Sequence, residues 1–345
     1  LDSGVLLSQI VYVNFEDERL LEMTADDLNT ILEIGLEISG TGNKPYLFLD
    51  EIQNIDGWEK FVRRIADMKY KISITGSNSK MLSSEIASTL GGRFVIMNIY
   101  PYSFSEYLIA NGREKNYLDT LSTSDKADVL ALYDEYVTFG AFPELVEIKN
   151  KRTFLSSIYQ TVYLGDIITR NKITNDFAIK LILKKIAESI TKPLSFSRLT
   201  NIVKSAGTSL GKQTVINYVG YMMDSYLIFP LANYAAKLVE KETSPKYYFM
   251  DTGLVCHLTR WITPEQLRNG AAAGHIFETF VVSEILKSFM NAGKSLRDVW
   301  FYRDQKKREI DLLIQEGHIL HPVEVKMSAT VGKDAVKNFS CLEGL

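Results

Sequence analysis

The chain has 345 residues, 46% hydrophobic and 23% charged, with a formal net charge of −3. That composition excludes a disordered chain, and the length exceeds one ordinary core, so roughly two or three domains are expected. A pI of about 5.9 gives no global basic field for nucleic acid; two cysteines, Cys256 and Cys341, exclude a disulfide framework; and no apolar run reaches the ~18 residues of a membrane helix.

Residues 1–110 alternate strand and helix signals. Ile10–Phe15 is rich in β-formers, and Leu28, Ile31, Leu32 and Leu36 mark a helix across 24–38. Thr41 to Pro45 breaks it. Tyr46–Leu49 is a short apolar strand, Trp58–Met68 a helix, Lys71–Gly76 a third strand and Arg93–Ile99 a fourth. Short apolar strands separated by helices predict a parallel sheet covered on both faces. Residues 111–180 read as helical. Then come helices at 181–191, 195–205 and 212–225, with Gly207 and Gly211 between the last two, and an apolar strand Tyr226–Phe229. Helix, glycine turn, helix and strand is the pattern of a winged helix-turn-helix. From 246 the α/β texture returns: a strand at Tyr247–Met250, a helix at Gly274–Met290, and strands at Val299–Tyr302, Glu309–Ile314 and Pro322–Lys326. The expected domains are 1–110, 111–245 and 246–345. The opening Leu1-Asp2 reads as an internal point of a longer protein or the start of its ordered part.

The strand Leu47-Phe48-Leu49 runs into Asp50-Glu51. An acidic pair at the carboxyl end of a buried strand suits ATP hydrolysis: the first acid orients Mg²⁺ or its waters and the second polarises the attacking water. The plain alternative is a strand ending in a solvated acidic turn. Ser77 and Asn78 follow the next strand and are placed to sense a γ-phosphate, or else to cap the following helix. Arg93 precedes the fourth strand and can reach phosphate in its own or a neighbouring subunit, or form a surface ion pair.

These pieces resemble a bacterial and archaeal group of AAA-type ATPases. The matching residues are Leu49-Asp50-Glu51-Ile52-Gln53 with Trp58, Thr75-Gly76-Ser77, Gly92-Arg93 and Tyr100 to Tyr107. The likeness continues through Gly140-Ala141-Phe142-Pro143, Tyr163 to Ile167, Phe249 to Leu254 and Gly274 to Glu278. It implies ATP and Mg²⁺ in the N-terminal domain, with Asp50 the Mg²⁺-site acid, Glu51 the water-activating base, Ser77 and Asn78 sensors and Arg93 a phosphate-reaching arginine. Members of the group are usually joined to a C-terminal domain of unknown function. One departure is large: the phosphate-cradling G-x-x-x-x-G-K-[ST] loop does not occur in this sequence. Gly40-Thr41-Gly42-Asn43-Lys44 is glycine-rich but lies directly before the acidic strand, the wrong place for such a cradle. If the loop precedes Leu1 in the full protein, the ATPase reading stands.

A second constellation lies near the end of the chain. Asp311 sits in one strand, and Glu324 and Lys326, two apart, share a face of the next. An aspartate, a glutamate and a lysine converging on adjacent strands suit metal-assisted phosphodiester cleavage, with the acids holding Mg²⁺. Glu278 on the preceding helix is a candidate fourth group. Residues and element order resemble the PD-(D/E)xK nuclease core; the plain alternative is charge alternation on an exposed strand. Arg303 to Arg308 form a charged turn that can meet phosphates.

In the winged-helix reading, Lys212, Gln213 and Thr214, with Asn217 and Tyr218, face a DNA groove. Val215, Ile216, Val219 and Met222 pack inward, and Lys204 and Lys237 flank the phosphates. The four histidines are scattered and build no metal site. The leading expectation is a cytoplasmic AAA-like ATPase that can form a homo-oligomer, with DNA as its macromolecular partner. The alternatives are a Mg²⁺-dependent DNA nuclease regulated by the ATPase module, and a non-enzymatic nucleotide-switched adaptor.

Overall fold

A computed structural model describes residues 4–40, 42–76, 94–113, 122–235, 237, 241, 243–259, 263–328 and 332–342. The fold is mixed α/β and divides into two compact units, Leu1–Met97 and Asn98–Leu345.

In the first unit, β1 (Ile10–Asn14), α1 (Leu28–Ser39), β2 (Tyr46–Asp50), α2 (Trp58–Asp67) and β3 (Lys71–Ile74) alternate. The strands form a three-stranded sheet in the order β1-β2-β3. Both pairings are parallel, with Asn14 opposite Asp50 and Leu49 opposite Ile74. The helices serve as the crossovers that parallel pairing requires. Leu47 and Leu49 turn inward with Leu28, Leu32, Trp58, Phe61, Val62 and Ile65, all buried. Gly35 is where α1 meets the sheet, since a Cβ there would come within 2.8 Å of the Val11 side chain. On the opposite face Phe48 keeps 39% exposure and Tyr12 64%, so that face is less covered than expected.

Over the described residues 94–99, the fourth strand expected at 93–99 does not form. Residues 94–99 are irregular, and Val95, Met97 and Ile99 are exposed. Among the described residues the sheet has no strand beyond β3. β-forming side chains do not make a strand without a neighbour to share backbone hydrogen bonds.

The second unit opens with helices: α3 (Phe104–Ala110), α4 (Thr123–Phe139), α5 (Lys151–Ile158), α6 (Asp166–Arg170), α7 (Asp176–Glu188), α8 (Phe196–Ser205) and α9 (Lys212–Asp224). A π-helical turn, Tyr159–Gly165, joins α5 to α6. β4 (Ile228–Leu231) and β5 (Lys246–Phe249) pair antiparallel. α10 (Thr252–Leu258), α11 (Pro264–Asn269) and α12 (Ala273–Asn291) follow. β6 (Val299–Arg303), β7 (Glu309–Glu316) and β8 (Ile319–Val323) close the fold as an antiparallel sheet. A core from Tyr107 to Ile276 joins the helices, and a second one packs Val282 and Leu286 of α12 against Val299, Phe301 and Leu312.

α9 corrects one orientation. Lys212, Gln213 and Asn217 are exposed, but Tyr218 is buried with Val215, Val219 and Met222. Positions 215, 218, 219 and 222 form one helical stripe, so the helix period itself carries Tyr218 inward. No helix among the described residues is long and apolar enough to cross a membrane.

Candidate functional sites

The N-terminal site gathers at the carboxyl end of β2. Asp50 ends that strand and is half-buried. The Thr75 hydroxyl donates to Asp50 Oδ1, and the Tyr12 hydroxyl donates to Asp50 Oδ2 at 2.7 Å. Hydrogen bonds from Thr75 first and Tyr12 second hold the Asp50 carboxyl below its ordinary range, because both stabilise the ionised form. Thr75 also ties the strand ends together: its N–H donates to Leu49 O at 3.0 Å, and its carbonyl accepts from Ile52 N at 3.3 Å.

Glu51 takes a left-handed backbone, φ 52°. A non-glycine residue there carries roughly 1 kcal/mol of strain or more, which the surrounding contacts must hold. Its N–H donates to Thr75 Oγ1 at 3.2 Å, and Gln53 Nε2 donates to Glu51 Oε2 at 2.5 Å. The turn then enters the core through Ile52 and Trp58, both buried. Asp50 and Glu51 are thus adjacent, ordered and partly exposed at one sheet edge. Ser77, Asn78 and Arg93 lie outside the described residues. Sequence reasoning passed over Tyr12 and Thr75. Thr75 lies two residues before the chosen Ser77, and the parallel register that brings β1 and the end of β3 beside Asp50 was the missing signal.

The C-terminal cluster surrounds β7. Glu278 on α12 accepts from the Tyr248 hydroxyl at 2.7 Å. Burial pushes its carboxyl up to about 7; the Lys246 charge opposes that rise, and Asp311 and Glu309 add to it. Lys246, wholly buried at the start of β5, lies 2.7 Å from Glu309 Oε1 and 3.6 Å from Glu278 Oε1. Arg303 Nε is 3.6 Å from Glu309 Oε2. Asp311 is buried and accepts the Val325 N–H at 2.8 Å.

β8 ends at Val323, so Glu324 and Lys326 follow the strand instead of lying in it. The ladder ends at Val323, and the Asp311 carboxylate takes the Val325 N–H two residues further on. Glu324 and Lys326 nonetheless meet, with Lys326 Nζ donating to Glu324 Oε1 at 2.5 Å. Burial raises the Glu324 carboxyl against that bond. Burial pulls the Lys326 ammonium down, but the Glu324 bond and the charges of Glu324, Asp311 and Glu278 outweigh it and leave it raised. Glu278, Asp311, Glu324 and Lys326 therefore share one electrostatic neighbourhood. Among the described residues, no three His, Cys, Asp or Glu side chains are arranged to hold a metal ion. Sequence reasoning missed Lys246, Tyr248 and Glu309. Lys246-Tyr247-Tyr248-Phe249 lacks polar alternation, which marks a strand buried on both faces and its lysine with it.

Residues 130–265 and 273–343 match two families, each described as a domain of unknown function. The chain is 35% identical over 307 residues to an uncharacterised protein of Methanocaldococcus jannaschii, covering 88% of this chain and 65% of that one. It thus spans less than two thirds of that relative's length. An uncharacterised protein of Haemophilus influenzae is 29% identical over 289 residues, covering 82% of this chain and 68% of its own. A solved structure, a Walker-type ATPase of Pyrococcus abyssi, matches with a TM-score of 0.43 and 13% identity over 72% of this chain and 71% of that one, too distant to bear on function. Residues 4–108 match the family described as AAA domain, which supports an AAA-type P-loop ATPase relationship for the N-terminal segment that carries Asp50 and Glu51.

Proposed function

We propose that the N-terminal unit binds and hydrolyses ATP with Mg²⁺. The observation that carries this reading is the Asp50 carboxylate, held ionised by Thr75 and Tyr12 beside Glu51. Bound Mg²⁺ would neutralise charge developing on the phosphates. The chain's own residues fit their share of that task. Asp50 is an ionised acceptor for the ion or its waters. Glu51 takes a water proton, and its left-handed backbone and the Gln53 bond set its aim. Ser77, Asn78 and Arg93 complete the reading as phosphate-side groups. No G-x-x-x-x-G-K-[ST] loop occurs in this sequence, so the test uses the natural full-length protein. Mg²⁺-dependent release of phosphate from ATP is expected, and a protein that neither binds nor hydrolyses ATP overturns the reading.

DNA is the proposed macromolecular partner. The exposed Lys212, Gln213 and Asn217 support it, since they line the outer side of α9 beside the α8 helix and the β4–β5 pair. DNA affinity should fall with salt and with Lys212→Ala; affinity unmoved by both removes the winged-helix reading. Mg²⁺-dependent DNA cleavage at Asp311, Glu324 and Lys326, with Glu278 as a further ligand, is the alternative enzymatic reading. A nucleotide-switched adaptor is the non-enzymatic one, and under each reading the protein is cytoplasmic and can assemble as a homo-oligomer. Cleavage lost on Asp311→Ala supports the former. Tight DNA binding without turnover supports the latter.

A further inference from the structure

We infer that the acidic cluster around β7 is neutralised by the protein's own cations, with the Lys246 ammonium occupying the place of a divalent ion. The nuclease resemblance implies Mg²⁺ at Glu278, Asp311 and Glu324, and the side chains present do not fit that ion. Each carboxylate already has a protein partner on at least one oxygen, and Glu324 Oε2 is buried without a hydrogen-bond partner among the described residues. Glu278 accepts from Tyr248 and faces Lys246. Glu309 lies between Lys246 and Arg303. Asp311 accepts the Val325 N–H, and Glu324 accepts from Lys326.

Lys246 decides the matter. Its side chain has 0% exposure. Its approach to Glu309 is charge pairing without a directed hydrogen bond, and the Phe301 ring, 4.9 Å away, accepts a further share of its charge. A charged amine so far from water is held only by opposite charge. A divalent ion on Glu278 would stand close to that ammonium, where low dielectric makes like-charge repulsion large. Binding the ion therefore requires expelling Lys246 from a closed site. The cluster keeps a nuclease-like set of acids yet takes no divalent ion. The inference is independent of ATP hydrolysis and bears directly on the cleavage alternative.

The test is Mn²⁺ titration of the full chain without nucleotide, followed by electron paramagnetic resonance. The expected result is that Glu278→Gln leaves the wild-type isotherm unchanged. Lys246→Met, which keeps the stem and removes the charge, should gain one Mn²⁺ site at least tenfold tighter than any in the wild type. Adding Glu278→Gln should abolish that gain. Wild-type binding that weakens tenfold on Glu278→Gln overturns the inference, and so does a folded Lys246→Met that gains no site. If Lys246→Met does not fold, the comparison of wild type with Glu278→Gln decides.

Discussion

The Tyr12 hydroxyl reaches across the parallel sheet to donate to Asp50 Oδ2 at 2.7 Å, while Thr75 holds the other oxygen from the far side. The acid proposed for the Mg²⁺ site is therefore oriented by Tyr12 of β1 on one side and by Thr75, just past the end of β3, on the other. Such residues position the ligand and need not touch it. Tyr12→Phe and Thr75→Val should leave the fold intact and raise the Mg²⁺ concentration for half-maximal ATP turnover by about threefold to tenfold each, in line with losing one hydrogen bond to a charged group near the surface. Conservative Thr75→Ser should restore the wild-type value. An unchanged Mg²⁺ dependence in both variants would show that this orientation is irrelevant to the reaction.

Asp251 makes the comparable contact in the second unit. It accepts the Ala141 N–H at 2.7 Å and caps α10 through the Leu254 N–H at 3.3 Å. The carboxyl is fully buried, and burial raises it against these bonds. Removing it leaves a buried N–H unpaired and a helix uncapped. Asp251→Ala should cost about 2–4 kcal/mol in denaturant unfolding. Gly140 faces the same carboxylate with φ 88°, and a Cβ there would run into it. Gly140→Ala should be destabilising to a similar degree, and near-wild-type stability in both variants would contradict the contact.

Two histidines give a stability slope with a defined sign. Burial lowers both His257 and His275 below the ordinary 6.5, and the charges of Lys192 and Lys246 lower His275 further. The unfolded chain takes up these protons first as pH falls. Their contribution is therefore complete above about pH 6.5 and lost as pH drops through the folded values. Glu278, raised to about 7, has the opposite slope, so the comparison is between proteins that both retain it. Thermal melts from pH 7 to 5 should fall more steeply for the wild type than for His257→Phe with His275→Gln. Parallel curves would contradict the assignment.

Much of this was legible from residue patterns, and the gaps have physical reasons. The 3.6-residue stripe located Trp58–Asp67 and Ala273–Asn291 to within a residue or two. Apolar runs located β2, β6 and β7. Strand ends were harder, because alternation at Glu324 and Lys326 does not reveal that Asp311 captures the Val325 N–H. Pairing partners were hardest: Arg93–Ile99 has strand composition, but a strand depends on its neighbours. In the same way Asp50 and Glu51 could be named from sequence, whereas Tyr12, Thr75 and Lys246 became visible only through register and burial. The quoted Gly140–Pro143 and Asp251–Leu254 segments gave no hint that they meet, a contact spanning 110 positions.

The most direct measurement of the central claim is steady-state ATP hydrolysis by the natural full-length protein and its Glu51→Gln variant, alongside nucleotide binding. Loss of the proposed base should lower kcat by about a hundredfold or more while ATP affinity stays within about threefold. Wild-type turnover that Glu51→Gln leaves unchanged would contradict the assignment of Asp50 and Glu51 as the hydrolytic pair.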